Sequence, residues 1–165
     1  MASIEGLDEL LATLSGLGGN AKESCRKGLE RGAKKIQKDA KYLAPVKTGH
    51  LRNSIKTKSQ TIQDGAEAQV FSNLEYAPYV EFGTGQRGSE SNIGRPEGIS
   101  YKADWKGQAA QPFLTPAYLH AKNTGEVEHE VIKSIQADIK KILPKVDMTL
   151  SIENQIKEAL KLMLR

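Results

Sequence analysis

The chain is poor in the residues that do chemistry. Its 165 residues hold one cysteine, three histidines and 5% aromatic residues. One cysteine excludes an internal disulfide and fits a reducing compartment. Cys25 sits among apolar neighbours at helical spacing, which points to a buried thiol rather than a reactive one. His50, His120 and His129 are scattered, without the short N/S spacings that structural zinc needs, so no metal and no cofactor is expected. G-x-S-x-G and G-x-x-x-x-G-K-[ST] are both missing, and an enzyme would need distant residues to converge. No apolar run is long enough for a transmembrane span, and the opening residues do not read as a signal peptide.

Charge is present but unevenly spread. The formal net charge is +4. Between Lys22 and Lys47 lie nine basic residues and three acids. Such a stripe is either a solvated helix face or a surface for nucleic acid, with Lys34, Lys35, Lys38 and Lys41 the candidate DNA-facing residues.

Periodicity organises the rest. Residues 4–15 read as a short amphipathic helix, ended by Gly16, Gly18 and Gly19. A longer helix is expected from Asn20, with Cys25, Leu29, Gly32/Ala33, Ile36, Ala40 and Leu43 inward, stopped by Pro45. Strands are predicted over 53–62 and 66–72 around Gln63-Asp64-Gly65, a hairpin signal. Residues 74–83 predict a short helical turn closed by Gly83. The stretch 83–110 reads as a flexible loop with six glycines, and a third strand is placed near Ile99–Trp105. Thr115 as N-cap and Pro116 at the first helical position predict a helix start, with Val127, Val131, Ile135, Ile139 and Ile142 inward, a kink or break at Gly125 and an end at Pro144. A last amphipathic helix is expected over Ile152–Leu164 and either folds back or docks on a neighbour. The fold class is therefore α+β: a small antiparallel sheet, a hairpin plus that third strand, packed against two long helices. The domain spans 1–143, followed by a helical extension over 144–165.

Within the irregular stretch, Gly83-Thr84-Gly85-Gln86-Arg87-Gly88 fits G-x-G-x-x-G. A dinucleotide site needs a strand before that loop and a helix after it. The loop here runs into "SESNIGRPEG", so the match is read as a turn rather than a phosphate cradle.

Three blocks, "LAPVKTGHLRNSI", "YAPYVEFGT" and "QPFLTPAY", together resemble a family of small minor virion proteins of long-tailed bacteriophages, the head–tail joining or tail-completion proteins of the neck. The matching residues are Pro45, Thr48, Gly49, Leu51 and Ser54, then Tyr76, Tyr79, Glu81, Phe82, Gly83 and Thr84, then Pro112, Phe113, Leu114, Pro116 and Ala117. The resemblance runs from about Ile4 to Leu143 and leaves Lys145–Arg165 outside. It implies no catalysis. Expected partners are copies of the chain in an oligomeric ring, other neck and tail proteins, and packaged DNA nearby. Its implied location is the virion neck.

On this reading Tyr76, Tyr79 and Phe82 anchor a turn in the core, and Gly83 and Gly85 let the chain reverse. Glu81 is either a solvated or locally bonded carboxylate or an inter-subunit partner for a lysine or arginine. Candidate subunit-interface residues are Glu81, Arg87, Arg95, Trp105, Ile156, Leu160 and Met163.

Overall fold

A computed structural model describes residues 21–63, 65–91 and 100–142, excepting the side chains of Ile139, Lys141 and Ile142. The expected helix at 4–15, the cap at Asn20, Arg95 and the C-terminal helix lie outside the described residues, as does the expected end at Pro144. What is described mixes helix and strand: α1 (Ala21–Leu43), α2 (His50–Ser54), β1 (Ile55–Ile62), β2 (Gly65–Ser72), α3 (Ala77–Phe82), α4 (Gly85–Ser89), α5 (Leu114–Thr124) and α6 (Glu126–Ile142). β1 and β2 form a two-stranded sheet. No strand occurs over the described part of the expected third one, residues 100–105, where the backbone instead hydrogen-bonds to a helical turn.

Two compact units divide the chain. The first contains residues 21–32 of α1, 58–69 of the hairpin and 126–142 of α6. Its core is Cys25, Leu29, Val131 and Ile135, with Ala21, Ala66, Ala68 and Val127 against it. The helical stripe and the strand alternation converge on one cluster here, because periods of 3.6 and 2 each commit one face to the interior. α1 and α6 approach closely at Gly28, where an added Cβ would stand 2.5 Å from the Val131 Cα. Cys25 is fully buried, and burial pushes its thiol up to about 11. Ser24 Oγ donates to Asp138 Oδ2 at 2.6 Å, a second tie between the two helices.

The second unit contains residues 33–57 and 70–125. Ala33, Ile36, Ala40 and Ala44 are its buried hydrophobic residues from α1 and its end, together with Leu51, Ile55, Ala77, Phe113, Ala117 and Ala121. Leu43, expected inward, is 44% exposed, and Ala44 takes the interior position as the helix ends before Pro45. The strand expected from residue 53 begins at Ile55. Residues 50–54 form α2 instead, led by Gly49 in the left-handed region at φ 80. Gly125 breaks the C-terminal helical pattern outright, with φ 66, so α5 and α6 are separate helices.

Candidate functional site

The most constrained part of the second unit is built from the two glycine-bearing motif blocks. α3 spans only six residues, too few to hold its own shape by intrahelical bonding. It is tied down from outside, by the buried Ala77, by Gln111 N–H donating to Val80 O at 2.8 Å and above all by one side chain. Glu81 is buried, and its carboxylate accepts three backbone N–H groups at the start of α5: Phe113 at 2.8 Å and Leu114 at 2.9 Å through Oε2, Thr115 at 2.7 Å through Oε1. The first N–H groups of a helix lack intrahelical partners, and a carboxylate there is favoured by both hydrogen bonding and the helix dipole. Glu81 thus caps α5 from thirty-two residues upstream of Phe113.

This geometry selects one of the two readings of Glu81 and corrects two expectations. Glu81 is the locally bonded carboxylate, buried inside its own chain. Thr115 is not the cap: the helix begins at Leu114, and Phe113 in the cap position supplies no side-chain bond. Tyr76 and Tyr79 are not core anchors; they are 44% and 61% exposed, while Ala77 and Glu81 are the buried members of α3. The hydrophobic periodicity placed the aromatics inward, but an acid satisfied by three N–H donors takes the interior position. Phe82 is half-buried.

The glycine turn follows at once. Gly83 has φ 73, and a Cβ there would meet the Gln108 carbonyl at 2.6 Å. Thr84 and Gln108 form an antiparallel bridge, with Thr84 N–H donating to Gln108 O at 2.8 Å. Gln86 N–H donates to Trp105 O, Arg87 N–H to Lys106 O and Gly88 N–H to Thr84 O. The N–H groups of Thr84, Gln86, Arg87 and Gly88 are thus already bonded to protein carbonyls, and Gly107 packs directly on Thr84. So the G-x-G-x-x-G match is a close-packed stem. Residues 83–91 and 100–110, expected to be part of a flexible loop, are pinned to one another; Tyr101 Oη also donates to Phe82 O at 3.0 Å.

The first block is tied down similarly. Leu51 is buried, and Ser54 Oγ bonds both Leu51 O and Ser72 Oγ at 2.7 Å, linking α2 to the end of β2. Gln37 Nε2 donates to Ile55 O at 2.7 Å. Pro45 is half-buried and Thr48 exposed; Pro112 and Pro116 are half-buried around the buried Phe113.

Of the candidate interface residues, Arg87 is exposed and Trp105 is 55% exposed, while Ile156, Leu160 and Met163 lie outside the described residues. Of the basic candidates, Lys34 and Lys38 are exposed and Lys35 and Lys41 half-buried. Arg31, Lys34, Lys38 and Lys41 share one face of α1 at steps of three and four. Arg26, in the same basic stretch, is held by Glu23 at 2.7 Å and Glu30 at 3.0 Å, so its charge is matched inside the helix. The Arg26 hydrogen bond in turn holds the Glu23 carboxyl below its usual range. Sequence reasoning missed Asp39, whose Oδ2 lies 3.3 Å from His120 Nδ1 in the second unit. Nothing in their separation along the chain signalled that pairing.

Among the described residues no helix is long and apolar enough to cross a membrane. No curated protein and no solved structure gives a significant match to the chain. A family model does match residues 8–83, a little under half of the chain, and its description reads "HK97-gp10_like: Bacteriophage HK97-gp10, putative tail-component". That span contains the first two motif blocks up to Gly83, Glu81 included, and stops short of the third. Over residues 8–83 the chain is accordingly similar to the family so described.

Proposed function

We propose that the chain is a structural subunit of the phage virion, placed at the neck, that joins head to tail as an oligomeric ring and carries out no chemical step. The observation that carries this reading is the family match over residues 8–83. The site geometry supports it, because Glu81 and the glycine turn are committed to holding α3, α5 and the stem formed by 83–91 and 100–110 in fixed positions. A rigid frame with exposed aromatic side chains at Tyr76, Tyr79 and Trp105 suits docking, since rigid aromatics give contact area at low entropic cost. Its partners are other copies of itself and neighbouring neck and tail proteins. Electron microscopy and native mass measurement of assembled necks test the reading; absence of the chain from purified virions ends it.

A second reading, nucleic-acid binding, is favoured by one observation, the row Arg31, Lys34, Lys38 and Lys41 along α1. It requires affinity for duplex DNA that falls steeply with salt. The neck reading requires little binding by the isolated subunit. A titration at two ionic strengths separates them.

A further inference from the structure

A ring needs a surface by which one copy holds the next, and the hairpin supplies a candidate. The sheet has two strands of eight residues each, so among the described residues β1 and β2 each present one long side without a neighbouring strand. Among the described residues, no backbone–backbone hydrogen bond runs from 55–62 or 65–72 to any segment outside the hairpin. The Ile55 carbonyl is met by a side chain, Gln37, at the strand's start. An unpaired edge of this length is a template for another strand, and proteins cover it or pair it.

Charge distinguishes the two edges. β1 carries Lys56 and Lys58 and no acid; β2 carries Glu67 and no base. Gln60 Nε2 donates to Glu67 Oε1 at 2.5 Å across the hairpin, which sets Gln60 opposite Glu67. Even-numbered β1 residues and odd-numbered β2 residues then share one face. Ala66 and Ala68 pack on the Cys25 cluster, so Lys56, Lys58 and Glu67 all lie on the face away from that core. Lys56 and Lys58 are exposed.

We propose that the β2 edge of one copy pairs antiparallel with the β1 edge of the next, joining the hairpins into one sheet around the ring. This rests on the ring reading above. Under cyclic symmetry, neighbouring copies of β1 run in nearly the same direction. Each therefore meets the preceding β2 antiparallel, continuing the alternation already present in the hairpin. Head-to-tail pairing brings the lysine-bearing strand against the glutamate-bearing one, whereas β1 against β1 sets lysine against lysine. It also uses both edges of every copy and leaves none open when the ring closes.

The test uses the full chain with charge reversals. Glu67→Lys makes both strands basic, and Lys56→Glu with Lys58→Glu makes both acidic. Each variant alone is expected to dissociate at protein concentrations about two- to five-fold higher than wild type for each repelled pair, while keeping its circular dichroism. An equimolar mixture of the two is expected to assemble, because every β1–β2 junction then joins opposite charges. Such a result cannot arise from changes inside one hairpin. Hydrogen exchange gives a readout independent of variants: amides in 55–62 and 65–72 are expected to slow at least about ten-fold on assembly. Rings that form with exchange in these strands unchanged, or a mixture that fails to assemble when wild type does, overturn the pairing and leave the ring reading standing. A wild-type chain that stays monomeric at every concentration overturns both.

Discussion

The carboxylate of Glu81 holds the backbone N–H of Phe113 at 2.8 Å, and with it the two N–H groups that come after. One side chain thus joins the second motif block to the third, fixing the end of α3 against the start of α5. Removing it leaves three donors at a largely buried helix start without an acceptor. Glu81→Ala is expected to cost ~2–4 kcal/mol, from lost capping plus the desolvation of orphaned N–H groups. Glu81→Gln keeps an oxygen for two of the three donors and is expected to lose about half as much. Urea unfolding of both variants checks this, and an Ala variant as stable as wild type contradicts it.

The glycines of the turn divide by surroundings rather than by backbone angle. Gly49 and Gly107 both have positive φ, 80 and 61. A Cβ at Gly49 has open space, with nothing nearer than 3.9 Å, so Gly49→Ala is expected to cost only the left-handed strain, ~1 kcal/mol. A Cβ at Gly107 would stand 1.9 Å from the Thr84 carbonyl oxygen, and Gly83→Val meets the Gln108 carbonyl. Gly107→Ala and Gly83→Val are each expected to lose ~3 kcal/mol or more, because strain and overpacking add. Thermal melts of the three variants rank them; equal losses remove the packing argument.

Gly28 predicts a sign. In an exposed helix interior Gly→Ala stabilises by ~0.5–1 kcal/mol. Here the new methyl would lie 2.5 Å from the Val131 backbone, so α1 and α6 must separate. Gly28→Ala is expected to destabilise by ~2 kcal/mol or more. Gly32→Ala meets the Val127 side chain at 3.0 Å and its Cα at 3.1 Å, a looser approach than at Gly28, and is expected to cost less, ~1 kcal/mol. A stabilised Gly28→Ala protein refutes the close approach.

Cys25 gives a pH signature. Burial raises its thiol from 9.0 to about 11, so the folded chain keeps a proton that the unfolded chain releases. The contribution is fully present below pH 9 and is lost as pH rises from 9 toward 11. The wild-type protein is expected to lose stability over that window faster than Cys25→Ala, compared by chemical denaturation at several pH values. Labelling of Cys25 by a thiol reagent at pH 8 is expected to require local opening and so to be slow.

Much of this fold was legible in the chain. The stripe Cys25, Leu29, Ile36 and Ala40, the hairpin, the turn closed by Gly83 and the break at Gly125 all follow from local rules, and the structure contains them. What failed was non-local. Tyr76 and Tyr79 read as core residues because aromatics at helical spacing usually are. The buried Glu81 displaced them through donors thirty-two to thirty-four residues away, which no periodicity reveals. Thr115-Pro116 looked like a cap and first turn for the same reason: the real acceptor is supplied by another segment. Residues 83–91 and 100–110 looked loose because Gly83, Gly85, Gly88 and Gly107 were counted without the backbone that packs on them.

The bridge between Thr84 and Gln108, with the bonds from Gln86 and Arg87 to Trp105 and Lys106, closes the chain into a stem. These bonds run between main-chain atoms, while the side chains of Lys106 and Gln108 are exposed. Surface substitutions of that kind usually change stability by no more than ~0.5 kcal/mol. Either position is therefore a natural place to attach a fluorescent reporter, giving a visible handle on the particle without disturbing the frame beneath it.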